Sequence, residues 1–128
     1  MSRSYQTALK RARGLGSAGN GFHHWWHQRI TAAVLVPITL WLGIGLALQA
    51  GADFEAARAW VASPINATLM IVAVIVLLYH GALGVQVVIE DYVHTDGLKA
   101  GGILLVQLAC FILAVAAILA TVQIALGG

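Results

Sequence analysis

Charge is what this chain has least of: only 9% of its 128 residues are Asp, Glu, Lys or Arg, and 60% are hydrophobic. An average soluble domain carries roughly 25% charged residues, so the composition is that of a membrane protein. Cysteine is nearly absent as well. Cys110 stands alone, which excludes an intramolecular disulfide and any cysteine-held cluster, and it reads as packing in the last apolar run. No flavin fingerprint and no nucleophile–base set is present. The Gly-rich GLGSAGNG (14–21) follows no strand, so it is a flexible lead-in and not a phosphate loop. No internal repeat is found. The chain by itself therefore carries no dehydrogenase or hydrolase chemistry, and no residue is assigned a catalytic role.

What is present is apolar length. Three runs, about 30–50, 67–89 and 101–126, contain no Lys, Arg, Asp or Glu, and each meets the roughly 20 residues that a bilayer-crossing helix needs. The runs do not alternate and are too long for tilted strands, which excludes a barrel. The expected fold is an all-α membrane protein: a basic tail and interfacial segment over 1–29, then a three-helix anchor over 30–128. The linker 51–66 carries Asp53, Glu55, Arg58 and Pro64 and suggests a short amphipathic helical turn, and 91–101 is a short polar connection.

The cations set the orientation. Arg3, Lys10, Arg11, Arg13, Arg29 and Lys99 fall on one side and only Arg58 on the other. Under the positive-inside rule the N-terminus is cytoplasmic and the C-terminus periplasmic. The small positive excess thus reports topology and an attraction to anionic membrane lipid, and gives no reason to invoke nucleic acid. The N-terminal segment lacks the apolar core of a secretory signal. A bacterial inner (cytoplasmic) membrane is preferred to the mitochondrial inner membrane.

His80 is the anomaly. It follows MIVAVIVLLY (70–79) and stands about nine residues from the inner end of its run, too deep for its short side chain to reach headgroups. A polar ring there costs several kcal/mol unless its nitrogens are engaged. Three roles are open: a hydrogen bond to a neighbouring helix, a proton relay, or ligation of haem iron, for which a neutral imidazole is a favoured ligand. Haem ligation is placed first on that chemistry, and Gly81 and Gly84 leave room beside the ring for a flat ligand. No other His lies deep in the three runs, so a six-coordinate haem would take its second ligand from another polypeptide.

Two further clusters lie toward the inner face. Asp91 follows His80 by eleven residues, which on a helix puts it about 20° from the His80 face. Beside it stands Tyr92. A carboxylate next to a phenol at the membrane edge can hold the O–H or tune a proton path, as quinone reduction requires. GFHHWWHQR (21–29) supplies interfacial Trp25 and Trp26, and His23, His24 and His27 at headgroup level. Arg29 opens the first run on the leaflet of Tyr92 and suits a carboxylate partner such as a haem propionate.

Together these features resemble the small hydrophobic membrane-anchor subunits (D subunits) of succinate dehydrogenase, respiratory complex II, over nearly the whole chain. The most specific element is H-(x10)-D-Y, met by His80, Asp91 and Tyr92 in YHGALGVQVVIEDYV. The H-(x5)-R spacing of His23 and Arg29 is a looser match to the family's propionate contacts. The resemblance implies that His80 is an axial ligand of a haem b shared with a second, cytochrome b-type anchor subunit. It also implies that Tyr92 hydrogen-bonds ubiquinone, and that Asp91 orients Tyr92 or delivers protons. The implied partners are that anchor, an iron–sulfur subunit and a flavoprotein subunit, in the tricarboxylic acid cycle and electron transport. Anchors of fumarate reductase share the architecture. A haem-free proton-relay or transport module with His80 as the relay is the alternative of another class, and an inert anchor with a structural His80 is a third.

The orientation makes a direct prediction. A reporter that is active only outside the cytoplasm should be active when fused after Gly128 and silent when fused in the 91–101 connection, and the reverse pattern would invert the topology.

Overall fold

A computed structural model describes residues 18–127. The part of the basic tail over 1–17, with Arg3, Lys10, Arg11 and Arg13, lies outside the described residues. The rest is all-helical: α1 (Ala18–Leu48), α2 (Phe54–Ala62), α3 (Pro64–Tyr92) and α4 (Asp96–Ala125). Three of these, α1 from Gly21 onward, α3 and α4, are long and apolar enough to cross a membrane. The long helices have 31, 29 and 30 residues, so at 1.5 Å per residue they exceed the roughly 30 Å of hydrocarbon.

That excess explains where the observed ends depart from the expected ones. An apolar run marks the hydrocarbon, whereas a helix continues while its backbone is bonded and its side chains find partners. Residues 18–21 are the first turn of α1 and not a flexible lead-in. The segment that follows is helical because its aromatics meet at helical spacing. Phe22 stacks on Trp26 at 6.2 Å, and Phe22 and Trp25 lie 6.2 Å apart. The polar connection expected over 91–101 shrinks to 93–95, since α3 keeps Asp91 and Tyr92 and α4 begins at Asp96.

The short helix is locally encoded. Asp53 caps α2 by accepting from the Ala56 amide at 2.8 Å. Ser63 ends α2 and caps α3, accepting from the Asn66 amide, while Pro64 takes the first helical position, where its missing N–H costs nothing. The Asn66 side chain donates to the Trp60 carbonyl at 2.8 Å and binds the two helices at their corner.

α3 is the central element. It packs against α1 on one side and α4 on the other, α2 contacts both α3 and α4, and α1 and α4 do not pack on each other. The buried positions are mostly small, with Ala67, Ala73 and Ala82 beside Leu83 and Ile38, as expected where helices approach closely within a membrane. Large apolar side chains such as Leu104, Leu105 and Phe111 are exposed. This inside-out distribution belongs to a chain surrounded by lipid or by protein partners.

Trp60 of α2 stacks on Trp41 of α1 with ring centroids 5.6 Å apart and planes 18° from parallel. Gly45 makes that possible, because a Cβ there would overlap the Trp60 indole. Gly45→Leu should therefore destabilise the chain by about 1–3 kcal/mol, read as a lower thermal midpoint in detergent. In a Trp60→Ala background the same substitution should cost much less, and equal cost in both backgrounds would rule out this contact.

Candidate functional site: a polar seam between α1 and α3

α1 carries residues 24, 28, 31, 35, 38, 42 and 45 as a stripe spaced alternately by four and three; Gln28 and Thr31 in it meet α3, and Gly45 meets Trp60 of α2. Each of these residues is buried or half-buried. From Leu35 onward the stripe is apolar or glycine. Toward the N-terminus it turns polar: Thr31, Gln28, His24. His80, half-buried on α3, lies against this polar half.

Both ring nitrogens of His80 are met from α1. Nδ1 lies 2.9 Å from the Thr31 hydroxyl oxygen, and Nε2 lies 3.4 Å from the Gln28 side-chain nitrogen. The neighbouring residue forms a second rung: the Tyr79 hydroxyl is 2.8 Å from His27 Nδ1, with the rings edge-to-face at 6.1 Å. Unlike His80, this second pair is exposed on the surface of the chain.

Below these rungs the seam opens into a groove of about 580 Å³ lined by Gly21, His24, Trp25, Gln28, Gln86, Val87 and Glu90. Two polar atoms buried here, His24 Nε2 and Gln28 Oε1, have no hydrogen-bond partner among the described residues. On the α3 wall, the Gln86 amide donates to Glu90 at 2.8 Å and accepts a longer bond from Gln107 of α4 at 3.4 Å. Gln28 therefore touches both His80 and the groove.

The residues expected from the sequence are distributed as follows. His80 sits in the seam. Asp91 and Tyr92 close α3, and both are exposed, Tyr92 to 79%. Among the described residues neither forms a side-chain hydrogen bond, whereas the adjacent Glu90 does. Arg29 is exposed and lies over the Trp25 ring at 5.1 Å. His23 is exposed and meets Phe22 edge-on at 6.0 Å. Gln28 and Thr31 both reach His80, so Arg29 between them lies near the level of His80 and not at the end of α3 that carries Tyr92. Gly81 has nothing within 4 Å of a Cβ position, and at Gly84 a Cβ would make ordinary contact with Gln28 at 3.6 Å. Packing within this chain thus requires neither glycine. Among the described residues, no three His, Cys, Asp or Glu side chains converge on a common point.

His24 was expected only at headgroup level, and Thr31, Gln28, Gln86 and the bond of Glu90 to Gln86 were not read from the sequence. The signal for the first three was available: polar residues at 24, 28 and 31 continue the spacing of the apolar stripe.

Residues 3–114 match the family model described as succinate dehydrogenase/fumarate reductase transmembrane subunit. Among curated proteins, the succinate dehydrogenase hydrophobic membrane anchor subunit of Rickettsia bellii is 38% identical over 94% of this chain and 96% of its own length. That of Paracoccus denitrificans is 32% identical over 96% of this chain and 95% of its own. The succinate dehydrogenase membrane anchor subunit of Reclinomonas americana is 31% identical over 69% of this chain and 76% of its own. No solved structure matches significantly.

Proposed function

The chain belongs to the succinate dehydrogenase/fumarate reductase transmembrane subunit family, as a membrane anchor, and from that premise we propose that His80 is one axial ligand of a haem b and that Tyr92 forms part of a quinone-reduction site. The observation that carries the first part is the half-buried imidazole of His80 at mid-helix, gripped at Nδ1 by Thr31 while Nε2 has only the long Gln28 contact. A ring held at one nitrogen and loosely engaged at the other suits a metal ligand whose second nitrogen serves as the anchor point. Gly81, bare toward the outside of the chain, supports the same reading. When bound, the haem would supply a one-electron redox centre. A second, cytochrome b-type anchor subunit would complete the ligand set, and Arg29 and His23 would approach the propionates.

Tyr92 ends α3 and is almost fully exposed, so its hydroxyl is free to donate to a ubiquinone carbonyl brought against this end by the iron–sulfur and companion anchor subunits. Asp91 orients Tyr92 or delivers protons, and the Glu90–Gln86 pair offers acceptors on the adjoining face. In this reading electrons leave succinate in a flavoprotein subunit and cross the iron–sulfur subunit. They reach the quinone at the cytoplasmic face of a bacterial inner membrane, with the N-terminus of this chain on that side. The names of the relatives favour succinate oxidation over the fumarate-reducing direction.

Two substitutions test the parts separately. His80→Leu should remove or strongly perturb the b-type haem spectrum of the assembled complex, and an unchanged spectrum would eliminate His80 as a ligand. Tyr92→Phe should lower quinone-linked turnover roughly 5- to 10-fold, the worth of one hydrogen bond, while succinate oxidation by an artificial acceptor stays near normal. Equal loss of both activities would assign Tyr92 to assembly.

A further inference from the structure

Resting on the haem reading of His80, we infer that Thr31 is a positioning residue. Its hydroxyl accepts the Nδ1–H of His80, and so fixes the ring tautomer that turns the Nε2 lone pair toward the iron.

The assignment follows from heavy-atom distances and one proton. The Thr31 oxygen lies 2.8 Å from the His27 carbonyl oxygen and 3.1 Å from that of Gln28, as well as 2.9 Å from His80 Nδ1. Two oxygens that close repel unless a proton lies between them, and a threonine hydroxyl has only one. Spent on the carbonyls, that proton cannot also be given to Nδ1. The other threonines of the long helices set the precedent. Thr39, Thr68 and Thr121 lie 2.7, 2.8 and 2.8 Å from the carbonyl four residues back, the usual resting place of a helical hydroxyl. Thr31 does the same and is left with lone pairs toward His80. Nδ1 must then be the donor, and in a neutral ring Nε2 is unprotonated. The Gln28 side-chain nitrogen, a donor, faces Nε2 and agrees with this tautomer.

Thr31 thereby performs for His80 what a carbonyl or carboxylate performs behind many metal-bound histidines: it locks ring orientation and raises the basicity of the ligating nitrogen. Without it the ring is free to turn, and a weaker donor favours ferrous over ferric iron.

The test is a redox titration and a haem-dissociation measurement on the assembled complex carrying Thr31→Val, with Thr31→Ser as the variant that keeps the oxygen. Thr31→Val should raise the haem midpoint potential and loosen the haem roughly 10- to 100-fold, and Thr31→Ser should stay close to the unsubstituted complex. Should valine block assembly, Thr31→Ala carries the same expectation. An unchanged potential and dissociation rate without the hydroxyl would overturn the inference, as would a shift in Thr31→Ser equal to that in Thr31→Val. In the unsubstituted complex, the redox-difference infrared spectrum with isotope-labelled histidine should show a hydrogen-bonded Nδ1–H that is lost in the hydroxyl-free variant. A ring mode indifferent to residue 31 would contradict it. Failure of the underlying reading looks different, since a complex that keeps its haem with His80→Leu removes His80 as ligand whatever Thr31 does.

Discussion

In hydrocarbon, a polar group without a partner costs several kcal/mol, and this molecule is organised around meeting that demand at one place. His80 sits at the middle of the central helix, and α1 turns toward it the one stretch of its packing stripe that is not apolar. Thr31 and Gln28 reach the two nitrogens from successive turns of α1. Elsewhere in the long helices the threonines satisfy themselves against their own backbone, so no further polar contact between helices is needed at those positions. The pairing of α1 with α3 is thus tied to the chemistry of a single imidazole.

The arrangement is open. With α3 between α1 and α4, and no packing of α1 on α4, the chain presents broad faces to its surroundings. The His27–Tyr79 pair, next to His80 yet exposed, would be poorly served by acyl chains. It suits a face covered by protein, as in an anchor that works beside a companion subunit. The same openness leaves Gly81 bare and the end of α3, with Asp91 and Tyr92, exposed.

Much of this was legible beforehand. Three charge-free runs specify three spanning helices because nothing else of that length satisfies its backbone in a bilayer, and His80 stands out because it interrupts such a run. The helix ends were not legible. Hydropathy locates the hydrocarbon, while α1 extends back to Ala18, through the turn where Phe22 stacks on Trp26. The partners of His80 escaped notice for a related reason. Thr31 and Gln28 are unremarkable one at a time, and only the helical phase they share with Leu35 and Ile38 marks them as facing the central helix. Glu90 adjoins Asp91 and Tyr92 at the end of α3. That it bonds back to Gln86, while Asp91 does not, is a matter of side-chain geometry that no spacing rule supplies.

The central claim is that this chain holds haem iron through His80 within a larger oxidoreductase. It is tested most directly by a dithionite-reduced-minus-oxidised spectrum of the unsubstituted complex, purified through a tag on this chain. The account predicts a sharp b-type band together with co-purified flavoprotein and iron–sulfur subunits. The same subunits without a haem band would contradict it, leaving His80 as a structural link between α1 and α3.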